Sequence, residues 1–219
     1  MPPAHLVRDD PLAPDPGFAQ LYGQLPEVED LEPWLAWCRA AGGSVLYLGV
    51  GAGRLALPLL RAGVELVGVD AHPGMLAILR RRSPGLRLLR ARLEDVSLTT
   101  RFPLVMAPSG LLQTESLLRR AASLSSRWLA FELLNPHWLL ASPGPGVRVL
   151  ATSGDRVQLE VDYLGGKWTQ QAEVQLTWPE AIEHRLLQCG LELVVMRGAS
   201  DKAGLSESPT FAVLSQLLE

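Results

Sequence analysis

The chain has 219 residues, of which 47% are apolar and 20% are charged, and its formal net charge is −3. These values are typical of one globular core with at most a small addition, and they exclude general disorder. Because the chain is slightly acidic and has no broad positive field, we expect neither duplex nucleic acid nor an anionic membrane as its main partner.

The cysteine content argues against metal chemistry. Only Cys38 and Cys189 occur, so a zinc site of the usual kind is not predicted, and we expect buried free thiols rather than a disulfide or a nucleophile. The sequence has no apolar run long enough to span a bilayer, and its first residues lack the apolar core of a secretory signal. We therefore expect a cytoplasmic protein without a membrane partner.

Residues 1–43 are predicted to form an N-terminal arm with cap helices. Five prolines fall within residues 1–16, and because proline lacks a backbone donor, this arm is predicted to be extended and mobile. Apolar residues from Phe18 to Leu25 recur at helical spacing and predict a short helix, and a second helix is expected from Glu27 to Ala41.

Residues 44–140 alternate between short apolar strands and helices. Strands are predicted at 45–48, 64–69, 86–90, 103–107 and 127–134, with helices at 54–62, 73–82 and 113–124. Short apolar strands joined through helices form parallel sheets that are covered on both faces. The pattern therefore predicts an α/β fold with a doubly wound, mostly parallel sheet.

Residues 141–178 change to alternating apolar and polar positions. Three strands with glycine-containing turns predict a small antiparallel insertion after the fifth strand, at 147–153, 156–164 and 169–178. Its aromatic residues could line an acceptor pocket or bury a homodimer interface, and both interpretations stay open; they are Tyr163, Trp168 and Trp178. Residues 179–219 then supply a helix and two closing strands of the same domain.

A glycine-rich turn follows the first strand of this alternation. Gly49, Gly51 and Gly53 let the backbone adopt positive φ and let a ligand lie against it, and the following helix offers free N–H groups. The next strand ends in Asp70, at the spacing expected for an acid that binds ribose hydroxyls. The two adjacent strand ends therefore predict a nucleoside site, and we favour it over a turn that binds nothing.

The spacing of the glycines helps to choose the nucleoside. A dinucleotide-binding turn has the pattern Gly-x-Gly-x-x-Gly, whose third glycine would fall at position 54. This position is Arg54, and the pattern here is Gly-x-Gly-x-Gly. A nicotinamide-dependent oxidoreductase is therefore the weakest hypothesis for the function.

Together these segments resemble the class I S-adenosylmethionine-dependent methyltransferases of the small bacterial type. The resemblance rests on the glycine turn and on four further segments, at 18–22, 67–76, 102–108 and 178–191. It implies a seven-stranded sheet whose last strand is antiparallel. It also implies S-adenosylmethionine as the cofactor and methyl transfer to a small-molecule acceptor.

The resemblance also implies cofactor contacts at particular positions. The three glycines would face the methionine part of the cofactor, and Asp70 would hold its ribose. Residues implied beside the ribose, at the adenine, at the reactive methyl or as a closing element are Ala71, Met75 (equally a core residue), Leu93, Glu94, Ala107 and Tyr22.

Three positions depart from the family pattern. Tyr47 replaces the acid two residues before the first glycine, Ala91-Arg92 replaces Gly-Asp after the third strand, and Pro103 replaces the aspartate before the fourth strand. These departures support an alternative hypothesis, a catalytically silent relative that serves as a binding or assembly module.

No catalytic residue is assigned from the sequence, because methyl transfer requires alignment more than a fixed set of catalytic groups. The candidates for a general base are His137, Glu132, His72 and Tyr22. We expect His137 to cap a helix or lie at the surface and His72 to begin a helix. Glu132 lies in an apolar strand and is either a buried carboxylate or an edge residue.

Overall fold

The computed structural model describes residues 5–10, 12–141, 143–198 and 204–218. Its strands are His5–Arg8 (β1), Val45–Leu48 (β2), Leu66–Asp70 (β3), Arg87–Arg90 (β4), Phe102–Ala107 (β5), Ser125–Leu134 (β6), Val147–Ser153 (β7), Arg156–Tyr163 (β8), Trp168–Gln175 (β9), Leu191–Gly198 (β10) and Thr210–Leu217 (β11). Its α-helices are Pro16–Gln24 (α1), Trp34–Ala41 (α2), Ala56–Arg61 (α3), Pro73–Arg82 (α4), Glu115–Ser123 (α5), Pro136–Ala141 (α6) and Ile182–Gln188 (α7). Short 3-10 helices occur at Leu93–Asp95, Pro179–Ala181 and Leu205–Glu207.

Seven strands form the main sheet, in the order β10-β11-β6-β5-β2-β3-β4. The strands from β6 to β4 are parallel, whereas β11 runs antiparallel to both of its neighbours. The prediction of a mostly parallel seven-stranded sheet with an antiparallel last strand is confirmed. In parallel strands the carboxyl ends lie at one edge, so the turns after β2, β3, β5 and β6 are brought together there.

Helices cover both faces of this sheet. On one face α5 and α7 pack through Leu118 and Leu186 against strand residues such as Phe131 and Phe211. On the other face α2, α3 and α4 bury the side chains of Trp34, Trp37, Leu59, Leu76 and Leu79. Because both faces are covered, the parallel strands are apolar almost throughout, as the sequence predicted. No helix in the described part of the chain is long and apolar enough to cross a bilayer.

The predicted antiparallel insertion is present as a second sheet, in the order β1-β9-β8-β7. Strand β1 pairs parallel with β9 at its edge. The prediction of a mobile arm over residues 1–16 is therefore wrong for His5–Arg8, whereas residues 1–4 and 11 lie outside the described residues. Val7 explains the difference, since it packs with Leu21 and Trp168 and is only 2% exposed.

One helix is shorter than predicted, and another is present where none was predicted. The helix expected from Glu27 begins at Trp34, because Pro33 disfavours a helical backbone at the residue before it. The short helix α6 was not predicted, and it is stabilised by Asn135, whose side chain accepts a hydrogen bond from the His137 N–H (3.1 Å). The amide group of Asn135 also donates to the carbonyls of Leu205 and Ser208, which fixes this junction against the last part of the chain.

Gly53 is required by packing between the glycine turn and α4. A Cβ atom at this position would lie 2.5 Å from Leu79 Cδ1, whereas at Gly63, after α3, nothing lies within 4 Å. Both glycines have positive φ (92° and 85°), so alanine at either position costs about 1 kcal/mol of backbone strain. We expect Gly53→Ala to lose about 1–3 kcal/mol more than Gly63→Ala in urea unfolding, because only the first overpacks the core. Equal losses would contradict this account.

Candidate active site

The glycine turn lies between β2 and α3, at the carboxyl edge of the sheet. The N–H groups of Gly49 and Val50 both donate to the Val69 carbonyl, at 2.8 and 3.0 Å. Gly49 and Gly51 have φ values of +69° and +57°, which only glycine adopts without strain. A Cβ atom on Gly51 would have nothing within 4 Å, so this face of the turn is open to a ligand.

The carboxylate of Asp70 holds the turn in place from the neighbouring strand. Its Oδ2 accepts the N–H of Gly51 at 2.8 Å, and its Oδ1 accepts the N–H of His72 at 2.7 Å. Burial raises the pKa of Asp70, while these two hydrogen bonds act in the opposite direction. Each oxygen still has a free lone pair, so the carboxylate can accept ligand hydroxyl groups as well.

His72 caps α4, as the sequence predicted. Its Nδ1 accepts the N–H groups of Gly74 and Met75, at 3.1 and 3.3 Å. The acceptor role of Nδ1 assigns the proton to Nε2, which lies 2.9 Å from the Asp15 carbonyl and donates to it. Both ring nitrogens of His72 therefore form hydrogen bonds, and the ring connects α4 to the segment that precedes α1.

Helix α1 covers the site and joins the two sheets. The Tyr22 hydroxyl donates to Gln170 Oε1 of β9 at 3.2 Å, and its ring lies 4.6 Å from that of Phe18, centroid to centroid. On its other side α1 lies so close to α4 that a Cβ atom on Gly74 would be 2.9 Å from Ala19 Cβ. Tyr22, predicted to close the site, therefore makes a bridge between α1 and the second sheet.

Asp9 is a site residue that the sequence analysis missed. It follows β1 directly, and its N–H donates to the Gln171 carbonyl of β9. Loss of hydration raises the pKa of its carboxyl, the negative charge of Asp70 raises it further, and His72 lowers it. Its proximity to Asp70 depends on β1 pairing with β9, and this long-range contact has no local sequence signal.

The remaining predicted cofactor residues fall into two groups. Ala71 lines a surface cavity whose other walls are Leu12, Pro14, Arg90, Ala91 and Arg92. Glu94 is exposed, and its carboxylate accepts a hydrogen bond from Arg92 at 3.0 Å. In contrast, three of the predicted residues are buried in apolar clusters: Met75, Leu93 and Ala107. Ligand contacts of all these residues stay predictions.

A half-buried carboxylate, Glu132, lies on β6 near the same edge. The strand registers align Tyr47 with Met106 and Met106 with Ala130, and Glu132 is two residues beyond Ala130. Its side chain is therefore on the face of Tyr47, one row closer to the carboxyl edge. Burial raises the pKa of Glu132 to about 7, although a hydrogen bond from the Thr210 hydroxyl opposes this.

Tyr47 is buried in the core of that face, only 4% exposed. Burial raises the pKa of its phenol, and the negative charges of Glu132 and Asp70 raise it further, so Tyr47 is neutral. Neither Tyr47 nor Arg92 comes within 4 Å of a Cβ atom placed on Gly49 or Gly51. These two departures from the family pattern therefore leave the face of the turn free.

The partners of His137 are residues outside the candidate site. Its Nε2 is 2.7 Å from Glu180 Oε1, and its ring contacts that of Trp178 at 4.9 Å between centroids. Both partners are exposed and belong to the segment before α7. This agrees with the expected surface role and does not favour His137 as a base.

The chain is similar to known methyltransferases in one segment of sequence and in its whole fold. Residues 45–130 match the family described as a methyltransferase domain. The CcbJ methyltransferase of Streptomyces caelestis has a TM-score of 0.71 and 20% identity, with 92% of this chain and 96% of that one covered. No curated protein matches the sequence significantly.

Two further solved structures have the same fold. An S-adenosylmethionine-dependent methyltransferase of Clostridium acetobutylicum has a TM-score of 0.70 and 18% identity, covering 93% of this chain and 98% of its own. CalS10 of Micromonospora echinaspora, an amino pentose methyltransferase, has a TM-score of 0.66 and 18% identity, covering 93% and 97%. The chain has the class I methyltransferase fold.

The double role of His72 gives a first test of the site. His72→Ala removes the cap of α4 and the contact with Asp15, so we expect a loss of about 0.5–2 kcal/mol in urea unfolding. His72→Asn should recover much of this, because asparagine caps helices well, but it should leave α1 less protected in hydrogen exchange. Wild-type stability of His72→Ala would contradict the capping role.

Glu132 gives a second test, through pH. Because burial raises its pKa from 4.5 to about 7, the folded chain keeps a proton that the unfolded chain has lost between these values. The contribution of Glu132 to the free energy of unfolding therefore becomes less favourable as pH rises through this range, by up to about 3 kcal/mol. Above this range the contribution is constant.

We expect the free energy of unfolding of Glu132→Gln, relative to wild type, to be larger at pH 8 than at pH 5. Urea unfolding at both pH values measures this difference. Glu183→Gln, at an exposed position of α7, is the matched control. A pH-independent difference between wild type and Glu132→Gln would show that the buried carboxyl does not titrate as described.

Proposed function

We propose that this chain binds S-adenosylmethionine at the carboxyl ends of β2 and β3 and transfers its methyl group to a small-molecule acceptor. The observation that carries the proposal is the pairing of the open Gly51 face with the Asp70 carboxylate, 2.8 Å from the Gly51 N–H. A backbone turn that is open at Gly51, beside a half-buried acid with free lone pairs, suits a nucleoside with an adjoining amino-acid chain.

The proposed contacts follow the order of the strands. Asp70 would accept the ribose hydroxyls, and the backbone at Gly49 and Gly51 would face the methionine part. The cavity beside Ala71 supports the adenine at the β3–β4 side of the site. The other residues that we assign to the cofactor site are Gly53, Met75, Leu93, Glu94, Ala107 and Tyr22.

The charge of the site also supports a cationic ligand. The pKa values of Asp9, Asp70 and Glu132 are all raised, in each case first by loss of hydration. Ionised carboxylates in such positions lack compensating charge, and a ligand with a sulfonium and an ammonium group would supply it. The cofactor would therefore bind more favourably than a neutral ligand of the same shape.

The donor supplies an already activated methyl group, so the chain contributes alignment and exclusion of water. Helix α1 and strand β9 cover the site through the bond between Tyr22 and Gln170. The registers place Tyr163, Trp168 and Gln170 on one face of the second sheet, the face that meets α1. We propose that this face forms the wall of the acceptor pocket.

Two structural neighbours support a small or peptide-like acceptor rather than nucleic acid. CalS10 is described as an amino pentose methyltransferase, and MtfA, with a TM-score of 0.61, as a glycopeptide N-methyltransferase. At identities of 18% and 17%, these neighbours share only the fold with this chain, so its acceptor is our proposal.

Substitution of Asp70 tests the cofactor site. Asp70→Ala should weaken binding of S-adenosylhomocysteine by about 1–3 kcal/mol in calorimetry, because the ribose hydroxyls and the Gly51 N–H lose their acceptor. Asp155→Ala, at the exposed turn between β7 and β8, should bind like wild type. Failure of the wild-type chain to bind S-adenosylmethionine or S-adenosylhomocysteine at millimolar concentration would contradict the proposed function.

A further inference from the structure

Glu132 and Asp70 share one row of the main sheet. Gly68, Tyr47, Met106 and Ala130 are aligned across β3, β2, β5 and β6. Asp70, at the end of β3, and Glu132, near the end of β6, each lie two residues beyond this row. Because side chains alternate along a strand, both carboxylates face the same side of the sheet, at the same height above the apolar row.

The two carboxylates stand on opposite sides of the glycine turn. Three strand spacings separate β3 from β6, so their backbones are about 14 Å apart along the carboxyl edge. With Asp70 as the ribose acceptor, the nucleoside end of the proposed cofactor would lie at β3. The sulfonium is bonded to the ribose and would therefore come next along the edge, toward β5 and β6. An acceptor that approached its methyl group from the far side would meet Glu132.

Among the residues that the structure describes, Glu132 has no arginine or lysine partner that would explain its burial. None of the ion pairs between the described residues involves Glu132. Its neighbour across the strand pair is Ala212, which separates it from Arg197 of β10 in the same row, and the Thr210 hydroxyl donates to its carboxylate. A half-buried carboxylate without a countercharge, beside a small residue at a site edge, is suited to a cationic ligand.

We propose that Glu132 is the catalytic base of this chain and that the methyl acceptor is an amine nitrogen. The inference rests on the proposed function, because it places Glu132 relative to a bound S-adenosylmethionine. It goes further by assigning a base and the accepting atom, which the sequence analysis left open.

The proposed step is balanced in atoms and charge. The Glu132 carboxylate takes a proton from the acceptor ammonium group, which frees the nitrogen lone pair. This pair forms the bond to the methyl carbon, while the carbon–sulfur bond breaks and its electron pair stays on sulfur. The positive charge moves from sulfur to the methylated nitrogen, the product is the neutral thioether S-adenosylhomocysteine, and Glu132 passes its proton to water.

The burial of Glu132 also suits this chemistry. A base is most effective when its pKa is near the working pH, and burial has raised the pKa of Glu132 to about 7. The Thr210 hydroxyl keeps the carboxylate in one orientation. Tyr47, the buried neighbour that feels its charge, is a neutral phenol and does not compete for the proton.

Sinefungin provides a test that needs no knowledge of the acceptor. This cofactor analogue carries an amine where S-adenosylmethionine carries its methyl sulfonium, whereas S-adenosylhomocysteine has no group there. With Glu132 facing this position, the wild-type chain should bind sinefungin about tenfold more tightly than S-adenosylhomocysteine at pH 8, the ratio typical of a charge-assisted hydrogen bond. In Glu132→Gln the ratio should fall to about one, while Glu183→Gln should keep it.

The pattern of affinities separates the possible roles. Unchanged S-adenosylhomocysteine affinity with loss of the sinefungin preference supports the proposal. Equal weakening of both ligands would overturn it, because Glu132 would then contact the shared amino-acid part. An unaltered preference in a variant with wild-type circular dichroism would also overturn it. Failure of both ligands to bind the wild-type chain would instead remove the proposed function.

Methyl transfer gives a second, independent readout. Labelled S-adenosylmethionine is supplied with a mixture of primary amines and the alcohols of the same carbon skeletons. Label in an amine product, with a rate that rises through pH 7 in wild type and loses this rise in Glu132→Gln, supports the assignment. Label in an alcohol product would overturn the choice of nitrogen.

Discussion

The carboxylate of Asp70 connects the parts of the molecule that make the site. Its two oxygens accept the N–H groups of Gly51 and His72, so one side chain fixes both the glycine turn and the start of α4. His72 then caps α4 and binds the Asp15 carbonyl, and Asp15 in turn accepts from the N–H groups of Arg8 and Gly17. The covering N-terminal segment is therefore positioned by hydrogen bonds that begin at the end of β3.

This arrangement places negative charge where the protein itself provides little compensation. Asp70 and Glu132, which are both half-buried, have raised pKa values because their surroundings replace part of their water. Such groups reduce the stability of the folded chain at neutral pH, because the unfolded chain can hydrate them fully. A cationic ligand would offset this cost on binding, so the same residues that destabilise the free protein would favour the proposed bound state.

The sequence was sufficient to predict the features that depend on local patterns. The short apolar strands, the glycine turn and Asp70 lie within one stretch of chain, and their spacing is itself the signal. In contrast, β1 is four residues long and is stabilised by β9, more than 150 positions away, so no local pattern marks it. Asp9 was missed for the same reason, and the face on which Glu132 lies depends on strand register.

The departure at Tyr47 has a physical explanation in the same row of residues. The charges of Glu132 and Asp70 both act on the buried phenol of Tyr47. A carboxylate at position 47, as the family pattern has, would add a third buried negative charge between two that already lack countercharge, and like charges in a low-dielectric interior repel strongly. A neutral tyrosine fills the space without this repulsion. The negative charge on this face of the sheet is therefore carried by β6 instead of β2, one strand beyond β5, where an acceptor would approach.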